Sequence, residues 1–456
     1  MLSNMLPNTE IHANKVALII KQIHEKIEQK KNNGHLAISF SKNSVAHVVP
    51  NPKDARFHKS KVDLKSLNQI IEINPLEKTC VAESGVSFVD LVEQTLKHGL
   101  IPMTVPELKT ITIGGAVSGC SIESMSYKYG GFHDSCLEYE IITGDGRVLT
   151  LTPSDDIFQM IHGSYGTLGI LSKLKFKLIP AKPYVKMKYE SYNNFNDFFK
   201  VLYEHSNNFS DGSKNSFDFI DAIIHSKNHF VICTGTMVDV APYLSCYNKT
   251  KIYYKSTLKR DEDFLTLSDY FFRYDTECHW LTKSIPLLEN EIVRFLFGKY
   301  LLGSTNLIKN ARRFRHFLKL KKRQDMVVDV FIPAYNFENF YNWYKKDFNF
   351  FPLWIVPYRM PSIYPWISKE HKARIGEENL FIDCAIYGKK NNNPDVDYVT
   401  VLENKVFDLN GVKTLISKNS YHIDRFWQIY NKDHYQQIKS KTDPYSLFEN
   451  LYTKFH

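Results

Sequence analysis

The first apolar pattern along the chain has the spacing of a helix. Its members lie three, four, seven and eleven positions from the first and are Val16, Ile19, Ile20, Ile23 and Ile27. Because this spacing puts them on one side of a helix, we predict an amphipathic first helix. Farther along, residues 70–73 and 79–81 are β-prone runs on either side of an Asn-Pro turn, which predicts two strands.

A second helix is predicted directly after Ser87, whose hydroxyl can cap it. Asp90 stands three positions later, in the place of the acidic partner of a capping box. The apolar positions that follow fit one buried face, and Gly99 ends the helix after a Lys-His pair. Residues 139–143 and 147–151 then predict a hairpin around a Gly-Asp-Gly turn.

A half-buried strand is predicted where Leu174, Phe176 and Leu178 alternate with lysines, up to Pro180. Residues 1–182 therefore alternate strands and helices, which indicates an α+β fold. Thirteen of the 20 glycines lie in this part of the chain and only seven lie beyond it. We therefore predict that a first domain ends near residue 182.

The second part, residues 183–456, is aromatic and rich in lysine. Its β-prone runs predict further strands, at residues 217–221, 230–233, 327–332 and 380–384. An apolar helix is predicted at residues 292–302, and a basic helix follows it. A chain of 456 residues is too long for one ordinary core, so two domains are expected.

Composition removes several classes of function. The net charge of +9 is moderate for this length and does not predict nucleic-acid binding. The seven cysteines include no CxxC pair, so we expect a reducing compartment and neither a disulfide framework nor a metal site. The sequence shows no long apolar run and no secretory pattern, so we expect a cytoplasmic protein without a transmembrane segment or signal peptide.

The candidate chemistry is concentrated in one glycine-rich region. Twelve of the 20 glycines lie between residues 85 and 169. They include the paired-glycine loop (residues 104–119) and a second turn (residues 163–170). Glycine lets backbone approach a ligand closely, so these segments predict one extended ligand held by the main chain. No GxGxxG or P-loop motif is present, so we expect no separate dinucleotide domain.

The order of these segments resembles a known family. The sequence resembles the FAD-binding domain of the vanillyl-alcohol-oxidase type at residues 62–71, 81–86, 111–115 and 166–170. It resembles the Delta(24)-sterol reductase family, also called the 24-dehydrocholesterol reductases, over more of its length. Those segments are residues 106–115, 119–124, 128–130, 179–186, 218–220, 294–298, 324–327 and 352–357. The resemblance therefore covers nearly the whole sequence.

The resemblance implies an α+β fold with a two-subdomain FAD-binding domain of the p-cresol methylhydroxylase (PCMH) type at residues 1–182. It implies an α+β cap or substrate domain at residues 183–456, with the C-terminal segment as a candidate to return to the first domain. The residues it implies for FAD binding are Thr104, Pro106, Glu107, Leu108, Thr110, Thr112, Ile113, Gly114, Gly115, Gly119, Ser124, Gly166, Thr167, Gly169 and Ile170.

Two features depart from the usual pattern of such flavoproteins. No glycine occurs between Gly34 and Gly85, where these proteins usually hold the FAD pyrophosphate on a glycine-rich loop. Other backbone amides must then hold that group, or FAD binds more weakly. No histidine stands in a GGH-type loop, so we expect noncovalent FAD.

The resemblance implies reduction of a carbon–carbon double bond in the side chain of a sterol or similar lipid, with NADPH as electron donor. An isolated alkene is a poor hydride acceptor, so an acid must protonate one carbon while the flavin delivers hydride to the other. The candidate acids are Glu123, Tyr127, Lys128 and His133. The alternatives are an FAD-dependent alcohol or hydroxy-acid oxidase or dehydrogenase, and a degenerate flavin fold that binds lipid or a partner.

A basic segment bears on the source of such a substrate. Residues 309–323 contain eight Lys or Arg among fifteen, with apolar residues between them. This pattern fits a solvated helical face, and it also fits peripheral contact with an anionic membrane. The expected partners are the small apolar sterol-like substrate that the resemblance implies and, on the second interpretation of this segment, a membrane surface.

Overall fold

Two large antiparallel sheets, one in each part of the chain, organise the molecule. The computed structural model describes residues 5–34, 36–43, 59–208, 216–278, 281–284, 287–313, 326–389, 393, 395–416 and 419–456. The fold is α+β, as predicted. Of the helices described there, none combines the length and the apolar character needed to cross a bilayer.

The first part is built on a six-stranded sheet. Its elements are α1 Met5–Asn33, β1 Ile38–Ser41, β2 Ser60–Asp63, β3 Ile70–Asn74, β4 Thr79–Glu83, α2 Phe88–Leu96, β5 Leu100–Pro102, α3 Ile113–Gly119, α4 Ser126–Tyr129, β6 Cys136–Ile142, β7 Val148–Leu151 and β8 Ile170–Pro180. The strand order is β3-β4-β8-β6-β7, and β5 also pairs with β8. β1 and β2 form a separate parallel pair.

The local predictions for this part are confirmed. α2 begins after Ser87, whose side-chain oxygen accepts the amide hydrogen of Asp90. β6 and β7 form the predicted hairpin, and β8 is the alternating strand that ends at Pro180. The predicted apolar face of α1 is buried in a small core with β1, β2 and the C-terminal segment, through Val16, Ile19, Ile23 and Ile27.

A buried charge network fixes α1 on the sheet. His12 lies between two carboxylates, with Nδ1 2.8 Å from Glu83 Oε1 and Nε2 2.8 Å from Glu140 Oε1. Burial alone would lower the pKa of His12, but its hydrogen bonds to Glu140 and Glu83 outweigh burial and raise it. Burial would likewise raise the pKa of Glu140, but side-chain hydrogen bonds, that from His12 first, lower it to about 2.

The second part is built on an eight-stranded antiparallel sheet with the order β12-β9-β11-β10-β14-β15-β13-β16. Its elements are β9 Tyr184–Tyr192, α5 Phe195–Asn207, β10 Phe219–Ser226, β11 His229–Val238, α6 Tyr253–Ser256, β12 Glu262–Thr266, α7 Leu267–Phe271, α8 Glu291–Leu301, α9 Ser304–Arg313, β13 Met326–Pro333, α10 Phe337–Trp343, β14 Leu353–Arg359, α11 Lys369–Ile375, β15 Leu380–Lys389, α12 Tyr398–Asp408, β16 Val412–Lys413, α13 Ile423–Ile429, α14 Lys432–Thr442 and α15 Leu451–Phe455. The predicted strands and the predicted apolar helix at residues 292–302 are present.

The two faces of this sheet pack on different layers. Because neighbouring side chains of a strand point to opposite faces, Ile355 joins the core formed with α5, α10 and α12. Trp354 and Val356 belong instead to the core that the sheet shares with the first part of the chain. The large sheet therefore lies between a layer of helices and the glycine-rich region.

The C-terminal segment, residues 412–456, contacts both parts of the chain. β16 adds to the edge of the large sheet beside β13. Beyond it, the amide of Gly144 donates to Thr442 O at 2.7 Å, and Lys439 Nζ donates to Thr167 O at 2.7 Å. The last 45 or so residues thereby close the space beside the second turn.

Candidate active site

The paired-glycine loop follows β5 and includes α3. It packs tightly on the turn that precedes α2. Thr112 caps α3, since its Oγ1 accepts the amide hydrogen of Gly115 at 3.2 Å. The amide of Gly114 donates to Ser84 O at 2.8 Å, and a Cβ on Gly114 would lie 2.6 Å from the Cβ of Ser84. Only glycine lets the two backbones approach this closely without displacement.

The second turn lies directly against the end of that loop. The amide of Tyr165 donates to Ser118 O at 3.0 Å. Gly166 has a φ of +73°, and a Cβ there would lie 2.8 Å from the ring of Phe40. The two segments predicted to hold one ligand are therefore hydrogen-bonded to each other through their main chains.

The other predicted FAD-binding residues differ in accessibility. The buried members of the set are Thr104, Pro106, Glu107, Leu108, Thr112, Ile113, Gly114, Ser124, Thr167, Gly169 and Ile170. The half-buried members are Thr110, Gly115, Gly119 and Gly166. A ligand reaches the main chain of the half-buried members without displacing core side chains. Ser124 lies apart, with its hydroxyl 2.8 Å from that of Tyr270.

A narrow cavity opens beside the two turns, with about 70 Å³ of space that a water molecule can reach. The first part of the chain, the large sheet and the C-terminal segment all contribute to its wall, which includes Gly119, Tyr165, Phe331, Tyr358, Phe381 and Trp427. Only Gly119 belongs to the residues predicted to bind the cofactor.

Few polar atoms of the wall are free to meet a ligand. Trp366 Nε1 and His162 Nδ1 are buried in this wall and have no hydrogen-bond partner among the described residues. The remaining lining is mostly aromatic or aliphatic. Aromatic walls and unpartnered nitrogen atoms are groups that could contact a flat ring system such as an isoalloxazine.

Two tyrosine hydroxyls connect the cavity wall to a buried histidine and carboxylate. Tyr364 Oη lies 2.7 Å from Tyr358 Oη, 2.8 Å from His133 Nε2 and 2.7 Å from Asp134 Oδ1. A carboxylate only accepts, so Tyr364 donates to Asp134 and can accept from Tyr358 and His133. Burial raises the pKa of both tyrosines and lowers that of His133.

A second buried network lies between the paired-glycine region and the large sheet. Arg273 Nη2 is 3.1 Å from Glu123 Oε1 and 3.1 Å from Asp221 Oδ2, and all three side chains are fully buried. The guanidinium also lies over the ring of Tyr270, 4.1 Å from its centroid. Burial raises the pKa of Glu123 to about 7, although the charge of Arg273 opposes this. Glu123 therefore pairs with an arginine from the second part of the chain.

The four predicted acids do not come together. The hydroxyl of Tyr127 donates to Phe217 O, and Lys128 Nζ lies 5.4 Å from the ring of Tyr129. None of Glu123, Tyr127 and Lys128 is among the described residues that line the cavity, whereas His133 is hydrogen-bonded to Tyr364 in its wall.

Sequence reasoning did not find the two tyrosines of the wall. Tyr358 and Tyr364 stand in an aromatic, proline-rich stretch at residues 357–366, and that composition was the one signal that could have pointed to them. Tyr364 is 231 positions from His133, so no local pattern joins the two.

Comparisons with known proteins identify the cofactor-binding fold. A family model described as an FAD binding domain matches residues 51–152, which include the paired-glycine loop. The Delta(24)-sterol reductase of Homo sapiens is 26% identical over 409 residues, which are 85% of this chain and 76% of that protein. This chain is an FAD-dependent oxidoreductase.

The likeness extends along most of the oxidoreductase. The Delta(24)-sterol reductase of Pisum sativum is 24% identical over 489 aligned positions, which cover 97% of this chain and 84% of that protein. Cytokinin dehydrogenase 3 of Oryza sativa subsp. japonica is 30% identical over 176 residues, but these are only 37% of this chain and 32% of that protein. Both parts of the fold are thus related to the sterol reductases.

Proposed function

We propose that this oxidoreductase reduces a carbon–carbon double bond in the side chain of a sterol or a lipid of similar shape, with NADPH as the hydride donor. The observation that carries the proposal is the apolar cavity beside the two turns, in a protein related to Delta(24)-sterol reductases over most of its length. A sterol side chain without polar atoms is matched by a wall that offers mainly aromatic and aliphatic groups.

The residues that would hold FAD are those of the paired-glycine loop and the second turn. Their exposed main chain at Thr110, Gly115, Gly119 and Gly166 offers amides and carbonyls to a noncovalent cofactor. Bound FAD would supply the hydride that it has taken from NADPH. No separate nucleotide domain is expected, so NADPH would reach the flavin by way of the same cavity.

The protein itself must supply the proton. Of the candidate acids, His133 has the best-placed contacts, because Tyr364 joins it to the cavity wall at 2.8 Å. When hydride adds to one alkene carbon, the π electrons form a bond from the other carbon to a proton from Tyr358 or Tyr364. Solvent would then restore that proton through the neutral imidazole of His133, which can take up one proton at Nδ1 as it releases another at Nε2. The net change consumes one NADPH and one proton for each double bond.

The proposed lipid substrate is found in membranes, and we propose peripheral membrane contact through residues 309–323. Their structure lies mostly outside the described residues, which include only 309–313 of this segment. The support for this contact is the eight Lys or Arg in the sequence of the segment, which would face anionic lipid headgroups.

The direct experiment is a product assay on the FAD-loaded protein. With NADPH, a sterol that has a side-chain double bond should give the saturated sterol by mass spectrometry, and the same sterol already saturated should give no change. Absence of product from a protein with a normal flavin spectrum would contradict the proposal.

A second candidate is an FAD-dependent alcohol or hydroxy-acid oxidase or dehydrogenase, and the partial match to cytokinin dehydrogenase 3 supports it only in the general sense of a dehydrogenase. This activity would need no NADPH, because the substrate itself reduces the flavin. Bleaching of the flavin absorbance by an alcohol under nitrogen would select it over the reductase.

A further inference from the structure

Helix α8 buries an arginine and exposes large apolar side chains, unlike an ordinary surface helix. Its one arginine, Arg294, is buried at 2% exposure. Five large apolar side chains are exposed, with exposures of 69% for Ile292, 78% for Phe295, 58% for Leu296, 52% for Phe297 and 69% for Tyr300. A surface helix normally buries such residues and exposes its charges. This arrangement therefore indicates a surface that is covered by something apolar.

The orientation of α8 is set by polar contacts on its inner side. Arg294 Nη2 lies 2.7 Å from Glu277 Oε1, and Arg294 Nε donates to Lys249 O at 3.2 Å. A charge this deeply buried needs its partner, so rotating the helix to hide its apolar face would break the ion pair. The outward direction of four of these apolar side chains follows from this anchor.

Four of the five exposed large apolar residues form one continuous stripe. Ile292, Phe295, Leu296 and Tyr300 lie three, four and eight positions along the helix, which places them on one side. Lys299 stands within the same stripe and is exposed. A lysine stem can lie along an apolar surface while its ammonium group reaches water or a phosphate, so it does not interrupt the apolar face.

The charge next to the stripe favours one kind of occupant. α9 begins three residues after α8, and its C-terminal end includes Lys309, Arg312 and Arg313. A second copy of the protein would bring equal positive charge toward this region. A bilayer with anionic lipids offers an apolar interior for the stripe and opposite charge for the flanking residues.

We infer that α8 is the element that inserts into the interface of an anionic membrane, with its stripe among the acyl chains and the positive charge at the end of α9 near the headgroups. This inference rests on the proposed lipid substrate only to explain why the protein would bind a membrane. The exposed stripe of α8 and the adjoining charge carry it independently.

Contacts beneath α8 and the start of α9 connect this surface to the paired-glycine loop. Asp275 Oδ1 accepts from Ser304 Oγ at 2.6 Å and from the amide of Lys109 at 3.1 Å. Glu277, two residues on, holds Arg294. Docking of α8 would therefore set the paired-glycine loop at a fixed position relative to the membrane, which suits an enzyme that takes an apolar substrate from a bilayer.

The test is co-sedimentation of the FAD-loaded protein with vesicles of phosphatidylcholine, with and without phosphatidylserine. The native protein should bind mainly to the vesicles that contain phosphatidylserine, and added salt should weaken the binding. The double variant Phe295→Ser, Leu296→Ser should lower the partition coefficient by about tenfold or more, because two exposed apolar groups no longer insert. The matched control is Leu76→Ser, since Leu76 is 95% exposed on a distant turn, and its binding should stay unchanged.

The outcomes separate docking from catalysis. Both variants should retain the thermal unfolding midpoint and the turnover of sterol dispersed in detergent, while turnover of sterol presented in vesicles should fall only for the double variant. Equal vesicle binding by the native protein and the double variant would overturn the inference. So would a native protein that ignores vesicles and loses a dimer on this substitution, which would make a second copy the occupant. Vesicle binding without any sterol turnover would instead leave docking supported and the proposed substrate contradicted.

Discussion

The hydroxyl of Tyr364 has one proton and three close partners, and this determines how the cavity wall can handle a proton. Asp134 accepts a hydrogen bond from Tyr364, so the oxygen of Tyr364 remains available to accept from Tyr358 and from His133. Burial keeps the tyrosines protonated at neutral pH, since it raises their pKa. The wall therefore holds hydroxyl groups next to an otherwise apolar space.

Substitution of Tyr364 by phenylalanine tests this at the residue scale. The change removes the link between His133 and the wall, so we expect sterol turnover to fall by about 10²- to 10⁴-fold. Sterol binding and reduction of the flavin by NADPH should change little. Tyr203→Phe is the matched control, because Tyr203 is 43% exposed on α5. Equal turnover in the two variants would remove Tyr364 from the proton path.

Gly114 and Gly119 belong to the same helix but differ in the space around them. A Cβ on Gly114 would lie 2.6 Å from Ser84 Cβ, whereas one on Gly119 would lie 3.7 Å from the ring of Tyr165. We expect Gly114→Ala to destabilise the fold by about 1–3 kcal/mol through overpacking. Gly119→Ala should be close to neutral. Denaturant unfolding measures both, and equal midpoints would contradict the packing seen at Ser84.

At the scale of elements, docking of α1 depends on three titrating groups. The pKa of His12 is raised above 6.5, so its contribution is complete below 6.5 and is lost as pH rises through the folded value. The pKa values of Glu83 and Glu140 are lowered from 4.5, that of Glu140 to about 2, so their contribution is present above 4.5 and is lost as pH falls. α1 should therefore be held most firmly at pH values above 4.5 and below 6.5.

Hydrogen exchange of the α1 amides, corrected for intrinsic rates, measures this dependence. Protection should be higher in mildly acidic than in mildly alkaline buffer, and His12→Gln should remove the difference. His98→Gln is the control, because His98 is exposed at the end of α2. A native protein with the same protection in both buffers would rule out the proposed role of His12.

Whether a segment forms a helix or a strand could be predicted from the sequence where neighbouring residues carry the pattern. The helical spacing in α1, the Ser87 cap of α2 and the alternation in β8 each predicted the observed element. The sequence also predicted α8 as an apolar helix, but not which side faces outward. That side is set by Glu277, which lies outside the helix and meets Arg294 only in the folded protein.

At the scale of the whole molecule, the two sheets are joined through a buried arginine. Arg273 pairs with Glu123 from the first part and Asp221 from the large sheet. Arg273→Met would leave two buried carboxylates without their cation, and we expect it to lower the free energy of unfolding by about 3–5 kcal/mol. Arg147→Met is the control, because Arg147 is 55% exposed beside Asp145, and its effect should be within about 0.5 kcal/mol. Comparable losses in the two variants would show that the buried network is not what joins the sheets.

The cavity could not be predicted from local patterns because its wall joins residues far apart in the sequence. Gly119, Tyr358 and Trp427 belong to the first part, the large sheet and the C-terminal segment. The paired-glycine loop was found because closely spaced glycines and a proline are visible in the sequence. The resemblance to the sterol reductases supplied the FAD-binding fold, whereas Tyr364 and Trp366 needed the folded protein.

The central claim is that a flavin held beside this cavity passes hydride to a lipid alkene. The most direct measurement reduces the FAD-loaded protein with one equivalent of dithionite under nitrogen and then adds a sterol with a side-chain double bond. We expect the absorbance of oxidised flavin to return in step with formation of the saturated sterol. The saturated sterol alone should have no effect on that absorbance. A flavin that stays reduced in the presence of the unsaturated sterol, yet is reoxidised by air, would contradict the central claim.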